Sequence, residues 1–267
     1  MNRPARYAVY FVPDPASVLA RLGSALLGRD SETGLPVPQP CFTGFPPETL
    51  RALTAQARRY GLHATLKAPF FLQPGATERD LLRLAQEFAA SQAPIALPWL
   101  GVERIGSFFA LVPRAETPAE QDALRRLNAL AADAVTLFDP LRAAASEREI
   151  ARRNPQALSA RQRELLTAWG YPYVFDEYRF HITLTDRLFN EAEAGVLQAR
   201  LQAHVAALEQ QAVAAAVASL CICRQTLPDP ATSGEAPFTL LQRFDFPPPK
   251  RTCGNGYQTL NPAPPLP

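Results

Sequence analysis

The chain has 267 residues, of which 47% are hydrophobic and 19% are charged, a composition typical of a globular protein in water. Its 27 basic and 25 acidic residues leave a net charge of only +2, which argues against general binding to nucleic acid or to a membrane surface. Any anion that the protein binds must therefore be held by a few well-placed residues.

The sequence also predicts the cellular location of the protein. Residues 1–14 contain no apolar run of signal-peptide length, and the longest apolar stretch, residues 212–223, is too short to span a bilayer. Four cysteines in a chain of this size favour free thiols in a reducing compartment, and the spacing Cys221-Ile222-Cys223 is too tight for a zinc knuckle. We therefore expect a cytoplasmic protein without a membrane partner, a metal or another cofactor.

The first half of the chain predicts a strand, two helices and then a strand–helix–strand–strand unit. Aromatic and β-branched residues mark the opening strand, and helical spacing of leucine and valine marks the helix that follows it. Pro46-Pro47-Glu48 is a typical helix start. The predicted ranges are 7–12 (strand), 16–27 and 46–60 (helices), 61–71 (strand), 78–91 (helix), and 95–104 and 108–113 (strands).

The second half predicts helices and then a second strand–helix–strand–strand unit. Thr117 and Ser159 have the positions of helix N-caps, and Gly170-Tyr171-Pro172 ends the last of these helices. The predicted ranges are 118–136, 139–154 and 159–169 (helices), 179–185 (strand), 190–211 (helix), and 213–225 and 238–246 (strands), followed by a proline-rich tail over 247–267.

The order of elements is the same in the two units, which indicates a duplicated fold. We predict an α+β protein with antiparallel sheets, helices on the outside and a cleft between two lobes. Residues 1–246 would form this single two-lobed domain, with the lobe boundary near residues 115–140.

A short motif repeats at the start of each unit. His63-Ala64-Thr65-Leu66 in the first unit returns as His181-Ile182-Thr183-Leu184 in the second, and two of the three histidines of the chain lie in these copies. The third, His204, lies in a predicted helix away from any motif and is expected to be structural. We interpret the two copies as one site divided between the two halves of the chain.

Alternation along a strand predicts which side chains share a face with the histidines, because residues two apart point to the same side. The opposite faces are mostly apolar and should be buried; Tyr60 and Tyr178 fall on them and are predicted to be core residues. The two polar faces comprise Gly61, His63, Thr65 and Lys67 in the first copy, and Arg179, His181, Thr183 and Thr185 in the second.

These polar faces suit a phosphate diester. One neutral imidazole can take a proton while the other, protonated, gives one to the departing alkoxide, and the ordinary pKa of histidine, about 6.5, allows both forms near neutrality. The hydroxyls of Thr65, Thr183 and Thr185 can bind phosphate oxygens, and Lys67 and Arg179 can offset the negative charge on them. This chemistry requires no metal.

The paired His-x-Thr-hydrophobic motif resembles that of the two-histidine (LigT-like) phosphoesterase superfamily, whose members process cyclic phosphodiesters or RNA 2′,3′-cyclic phosphate ends. The wider segments 60–70 and 169–185 resemble more closely a branch encoded beside phosphonate-utilisation genes in bacteria. The resemblance extends over residues 6–246. It implies that His63 and His181 are the catalytic pair and that Thr65 and Thr183 hold the phosphate.

Other polar residues leave two points open. The arginines at 152, 153, 161 and 163 can recognise a phosphate-bearing substrate, although an exposed helical face is the favoured interpretation of such a charge run. Asp176 and Glu177 precede the second motif and could orient an imidazole, but the sequence does not decide this.

The function predicted from the sequence is a metal-independent phosphoesterase that hydrolyses a small cyclic phosphodiester or a related phosphate ester, linked through the resemblance to phosphonate metabolism. Its partner would be a small-molecule phosphate ester. One alternative is an RNA-end 2′,3′-cyclic phosphodiesterase or an RNA ligase-like enzyme, which the low net charge disfavours. Another is a non-catalytic phosphate-binding module, for which two acid/base residues would be needless. The sequence predicts no oligomeric state.

Overall fold

The structure of the protein is a computed structural model that describes residues 5–188, 190–210, 215–227 and 236–248. No helix within these ranges is both long and apolar enough to cross a membrane. The strands of the described part are β1 (Ala5–Phe11), β2 (Ala64–Phe71), β3 (Ile95–Ala96), β4 (Leu100–Ile105), β5 (Phe108–Pro113), β6 (Ile182–Thr183), β7 (Ala216–Val217), β8 (Ser219–Thr226) and β9 (Thr239–Asp245).

The α-helices pack around these strands, and several of them begin at a residue that caps the first turn. Thr77, Thr117 and Ser159 each form a capping box with the acidic or amide side chain three residues later. The helices of the described part are α1 (Val18–Leu27), α2 (Pro47–Leu53), α3 (Ala55–Tyr60), α4 (Glu78–Ala90), α5 (Pro118–Phe138), α6 (Glu147–Arg152), α7 (Ala160–Trp169) and α8 (Glu191–Gln210).

Seven of the strands form one antiparallel sheet in the order β4-β5-β6-β2-β1-β8-β9, and β3 pairs with β7 in a small second sheet. The predicted α+β class with antiparallel sheets is therefore confirmed. In the large sheet the hairpin β4–β5 of the first unit lies beside β6, the motif strand of the second unit. The hairpin β8–β9 of the second unit lies beside β1, which in turn pairs with β2. The two halves of the chain are thus interleaved in one sheet, and the lobe boundary remains a prediction.

The elements differ from the predicted ranges where a local side chain interrupts them. The helix predicted over 46–60 is divided at Thr54, whose hydroxyl donates to the Leu50 carbonyl at 2.9 Å and competes with the helical hydrogen bonds. The strand predicted over 95–104 is divided into β3 and β4, with Pro98 lying between them. The strand predicted over 179–185 is regular only at Ile182–Thr183.

The remaining differences concern the termini and the middle of the chain. The segment 139–154 contains a single 3₁₀ turn and the short helix α6 in place of one long helix. The strand predicted over 213–225 is divided into β7 and β8, and its residues 213–214 lie outside the described residues, as does most of the tail, residues 249–267. Of the four cysteines, Cys221 and Cys223 are buried free thiols in β8, as predicted.

The core lies under the apolar faces of the two motif strands, as the alternation predicted. Helix α5 packs against β2 and contributes leucine, alanine and phenylalanine side chains to this core. The motif residues that face it are at most 1% exposed: Leu62, Ala64, Leu66, Phe180, Ile182 and Leu184. Burying these six residues fixes both strands, so the opposite, polar side chains are directed to a common surface.

Candidate active site

The register between β2 and β6 brings the two motifs together. Ala64 pairs with Ile182, and these two residues face the core. Extending this antiparallel register by one residue in each direction sets His63 across from Thr183 and Thr65 across from His181. The imidazoles are then diagonal neighbours, a relation in which residues lie roughly 7–8 Å apart. The structure therefore brings together the four residues that the motifs predicted, at the centre of the sheet.

Backbone carbonyls orient both imidazoles in the same way. His63 Nδ1 lies 2.8 Å from the Gly61 carbonyl oxygen, and His181 Nδ1 lies 2.8 Å from the Arg179 carbonyl oxygen. A carbonyl oxygen only accepts hydrogen bonds, so Nδ1 must carry the hydrogen in each ring. Nε2 is consequently the atom that each histidine presents for chemistry, as a base when neutral and as an acid when protonated.

Gly61 allows the first of these two contacts. Its backbone has φ +77° and ψ 174°, a region that residues with a Cβ rarely enter. A Cβ at this position would also lie 3.1 Å from Ser31 Oγ, whose hydroxyl accepts a hydrogen bond from the Leu62 amide. A glycine is therefore needed here to turn the chain from α3 into β2 with its carbonyl directed at His63.

His63 lies in the more enclosed of the two environments. Its ring stacks on that of Tyr10, with centroids 3.9 Å apart, and Tyr10 is only 1% exposed. The Tyr60 ring lies 6.2 Å away on a tilted plane. Burial, reinforced by the nearby His181, lowers the pKa of His63 to about 4, although the Gly61 carbonyl opposes this shift. His63 is therefore neutral in the free protein at neutral pH.

His181 has a more open environment. The Phe108 ring lies 5.8 Å from it, and its pKa is lowered by burial and by the positive charge of Arg179, against the opposing effect of the Arg179 carbonyl. Arg179 itself is exposed and forms an ion pair with Glu103. The structure thus places Arg179 at the rim of the site, beside His181.

Lys67 does not lie with the histidines, and its predicted role in phosphate binding is corrected. The register of β2 against β1 shifts between Thr65 and Lys67, and such a bulge breaks the strict alternation on which the prediction depended. Lys67 is 3% exposed, and its ammonium group donates to the Val135 carbonyl of α5 at 3.1 Å and to Asp139 Oδ1 at 3.0 Å. Its charge is used to hold the end of α5 against the sheet.

Thr185 is likewise part of the framework, which corrects its predicted role as a phosphate ligand. It is 1% exposed, accepts a hydrogen bond from the Phe109 amide at 2.9 Å and donates one to the Asp186 carbonyl at 3.0 Å. The hydroxyl therefore acts as both acceptor and donor within the protein. Its bond to Phe109 joins the end of β6 to β5.

Of the repeated tyrosines, Tyr178 packs against the main core, as predicted, whereas Tyr60 packs against the cluster of Tyr10 and Phe238 on the side of His63, which corrects its predicted place on the opposite face. The Tyr178 hydroxyl donates to the Thr65 carbonyl at 2.9 Å, which ties the segment before β6 to β2. Tyr60 stacks on Phe238 with centroids 5.2 Å apart, and its hydroxyl accepts a hydrogen bond from Arg59 at 3.2 Å. Both tyrosines are only partly buried.

Tyr10 was missed by sequence reasoning. It reaches His63 because β1 pairs with β2 in a register that sets Tyr10 opposite Thr65. Nothing around residue 10 marks this contact, since it depends on a pairing between strands more than 50 positions apart along the chain. Burial raises the pKa of Tyr178, and Tyr171 raises it further.

Asp176 and Glu177, the acidic residues before the second motif, bond to side chains of α7 and not to an imidazole. Asp176 forms a bidentate ion pair with Arg161 at 2.9 and 2.8 Å, and Glu177 accepts a hydrogen bond from Gln162 at 2.9 Å. Neither orients an imidazole, because backbone carbonyls do so. Within the described ranges, no three histidine, cysteine or acidic side chains are grouped so that they could hold a metal ion.

Comparison with known proteins gives related sequences over most of the chain. A family model described as "Protein of unknown function (DUF1045)" matches residues 65–231. A protein of Janthinobacterium sp. (strain Marseille) named "Ribose 1,5-bisphosphate phosphokinase PhnN" is 42% identical over 244 residues, which cover 90% of this chain and 51% of that protein. A protein of the same name from Laribacter hongkongensis (strain HLHK9) is 41% identical over 206 residues, covering 74% and 44%. The chain therefore spans about half the length of these curated relatives.

A solved structure described as "Crystal structure of phosphoesterase" is also similar to the chain. The alignment covers 91% of this chain and 98% of that one, at 14% sequence identity and a TM-score of 0.36.

Proposed function

The chain belongs to the DUF1045 family, and we propose that it is a phosphoesterase that hydrolyses a small cyclic phosphodiester with His63 and His181 as the acid/base pair. One observation carries this proposal: the two His-x-Thr motifs lie side by side on adjacent antiparallel strands, and both imidazoles have the same Nδ1–carbonyl contact. That arrangement presents two Nε2 atoms to one ligand, which is the requirement for simultaneous proton removal and proton donation.

The substrate class that we propose is a cyclic phosphate of a sugar. The two curated relatives are named for a kinase of ribose 1,5-bisphosphate, a phosphorylated sugar, and the chain matches about half of each. The segments 60–70 and 169–185, which resemble proteins encoded beside phosphonate-utilisation genes, support the same class and a link between the reaction and phosphonate metabolism.

In the proposed mechanism His63 is the general base. Its enclosure against Tyr10 makes the charged form costly, so the neutral ring with a free Nε2 lone pair is the resting state. Nε2 accepts a proton from a water molecule as the water oxygen forms a bond to phosphorus. The more open His181 is the general acid, and its protonated Nε2 donates to the departing sugar oxygen as the bond between phosphorus and that oxygen breaks.

The products are a phosphate monoester and a free sugar hydroxyl, and the proton gained by His63 replaces, through solvent, the one lost by His181. Thr65 and Thr183, each across the strand pair from the other motif's histidine, donate hydrogen bonds to the non-bridging phosphate oxygens. Arg179 at the rim offsets part of the charge that builds up there, and Glu103 holds its guanidinium in place.

A substrate screen tests the proposal. The protein is incubated in EDTA with 2′,3′-cyclic nucleotides and with cyclic phosphates of ribose, and the double variant His63→Asn/His181→Asn serves as the blank. We expect wild-type turnover of at least one cyclic ribose phosphate and none by the blank. A protein that binds these compounds and turns none of them over at any pH would instead be a binding module.

The pH dependence of kcat/KM follows from the two depressed pKa values. The base must be neutral, so activity should fall as the pH drops through about 4, the pKa of His63. The acid must be protonated, and the pKa of His181 is lowered from 6.5, so activity should also fall as the pH rises, from a point below 6.5. The profile should therefore be bell-shaped with its optimum on the acid side of 6.5. A rate that still increases at alkaline pH would contradict the assignment.

A further inference from the structure

Helix α3, which leads into the first motif, does not supply its own N-terminal cap. Within the described residues the side chain of its N-cap residue, Thr54, makes no capping hydrogen bond and donates to the Leu50 carbonyl at 2.9 Å. The helix has only six residues, and so short a helix forms too few internal hydrogen bonds to be stable alone. The first amide groups of α3 therefore need acceptors from another part of the chain.

Asp186 supplies these acceptors from the second half of the chain. It lies three residues after Thr183 of the second motif. Its Oδ2 accepts a hydrogen bond from the Gln56 amide at 2.7 Å, and its Oδ1 accepts one from the Ala57 amide at 2.8 Å. The amide of Asp186 itself donates to the Leu53 carbonyl at 2.7 Å. Three hydrogen bonds thus join the segment after β6 to the start of α3.

The sheet fixes the position of Asp186. The Thr185 hydroxyl donates to the Asp186 carbonyl at 3.0 Å and accepts a hydrogen bond from the Phe109 amide at 2.9 Å. Phe109 belongs to β5, which pairs with β6. The carboxylate that caps α3 is therefore held in a defined position relative to the second motif.

A chain of hydrogen bonds runs from this carboxylate to His63. The amide of Ala57 donates to Asp186, and the carbonyl of Ala57 accepts a hydrogen bond from the Gly61 amide at 3.1 Å. The carbonyl of Gly61 then lies 2.8 Å from Nδ1 of His63. Because α3 is so short, loss of its cap would loosen the whole helix and, with it, the Gly61 carbonyl that orients the imidazole.

We propose that Asp186 is a positioning residue for His63: by capping α3 it holds the Gly61 carbonyl against Nδ1 and so keeps Nε2 directed at the substrate. This role rests on the proposed function, in which Nε2 of His63 takes the proton from water. Both carboxylate oxygens of Asp186 are bonded to amides of α3, so Asp186 acts through the helix and not in the chemical step. A residue beside the second motif thus sets the geometry of the first.

The substitution Asp186→Ala should lower kcat and leave KM nearly unchanged. A misplaced base slows the chemical step, and we expect kcat for adenosine 2′,3′-cyclic phosphate to fall by about 10- to 100-fold. Thr65 and Thr183, proposed to bind the phosphate, lie on β2 and β6 and not on α3, so KM should stay within about 2-fold of wild type. Steady-state kinetics separates the two constants.

The tautomer of His63 provides a second measurement, which needs no substrate. NMR of protein labelled at the histidine nitrogens distinguishes a ring with its hydrogen on Nδ1 from one with its hydrogen on Nε2. We expect the Nδ1–H form at both motif histidines of the wild type at neutral pH, because each Nδ1 contacts a carbonyl. In Asp186→Ala, His63 alone should become a mixture of the two forms, while His181 keeps its Arg179 contact.

Thr77→Ala is the matched control for the loss of a helix cap. Its hydroxyl accepts a hydrogen bond from the Asp80 amide at 3.2 Å and caps α4, which packs against β8 and β9. The substitution should destabilise the protein to a similar extent and leave both tautomers and kcat unchanged. Asp186→Asn keeps one acceptor and should give values between those of wild type and Asp186→Ala. It provides the test if Asp186→Ala does not fold.

The two measurements separate this role of Asp186 from the proposed function. If the wild type turns over no cyclic phosphate, yet loss of the Asp186 carboxylate changes the tautomer of His63 and not that of His181, the positioning role stands and the catalytic proposal fails. The wild-type tautomer of His63 in every folded variant at position 186 overturns the positioning role. Equal changes at His63 and His181, or an equal loss of kcat in Thr77→Ala, also overturn it, since each indicates general destabilisation.

Discussion

Replacing either His63 or His181 by asparagine should lower kcat/KM for a cyclic ribose phosphate by about 100- to 10,000-fold, the usual contribution of one general acid or base. Asparagine keeps a side-chain amide near the position of Nδ1 and so can retain the hydrogen bond to the Gly61 or Arg179 carbonyl. The loss would then reflect the missing Nε2 and not a disturbed strand. Steady-state kinetics with purified variants measures the effect.

The third histidine supplies the matched control. His204 lies on α8, where its Nε2 is 3.2 Å from the Leu22 carbonyl and its ring lies 5.8 Å from that of Phe42, away from both motifs. His204→Asn should therefore leave kcat/KM within about 2-fold of wild type, since it changes no group at the site. Full activity in both single motif variants would refute the two-histidine assignment.

The separate roles of the two histidines can be distinguished with an activated substrate. A phosphodiester with a 4-nitrophenyl leaving group needs no proton donor, so it should restore much of the activity of His181→Asn, in which the acid is missing. The same substrate should not restore the activity of His63→Asn, because the attacking water still lacks a base. The opposite pattern of rescue would reverse the assignment while leaving the pair itself intact.

Lys67→Met should lower the free energy of unfolding by about 3 kcal/mol and leave kcat/KM within about 3-fold of wild type. Removing the ammonium group deprives Asp139 of a buried partner and the Val135 carbonyl of a donor. The loss should fall at the lower end of the range for a broken buried pair, because Asp139 is partly exposed and keeps its contact with Arg142 at 2.7 Å. Urea unfolding measures the stability.

The Lys67→Met result tests whether Lys67 stabilises the fold, as its contacts indicate, or binds phosphate, as the sequence predicted. If Lys67 bound phosphate, the substitution would reduce kcat/KM strongly while changing stability little. Arg83→Met is the reference for removing a charge at the surface. It breaks the ion pair of Arg83 with Glu87, whose two side chains are mostly exposed, and should lower the free energy of unfolding by less than about 1 kcal/mol. The two substitutions remove one charge each, so the difference between them reports burial and not net charge.

The residues that form the proposed catalytic centre were accessible from the sequence. His63, Thr65, His181 and Thr183 are separated by two positions within each copy, and a strand places such residues on one face wherever its alternation is regular. The apolar residues between them, Ala64 and Ile182, are buried, so the alternation holds at these four positions, although it fails at Lys67 and Thr185. The helix starts at Thr117 and Ser159 were accessible for a similar reason, since capping depends on residues three positions apart.

The wrong assignments and the missed residues share one physical cause, which is contact between distant parts of the chain. A bulge in β2, visible only in its register with β1, turned Lys67 away from the site, and packing against β5 enclosed Thr185. The same β1 pairing brought the Tyr10 ring into stacking contact with His63. Sequence periodicity thus determined the two polar faces of this protein, because a strand repeats every two residues. The tertiary structure alone decided which other groups meet those faces, because that depends on strand pairing and packing across the whole chain.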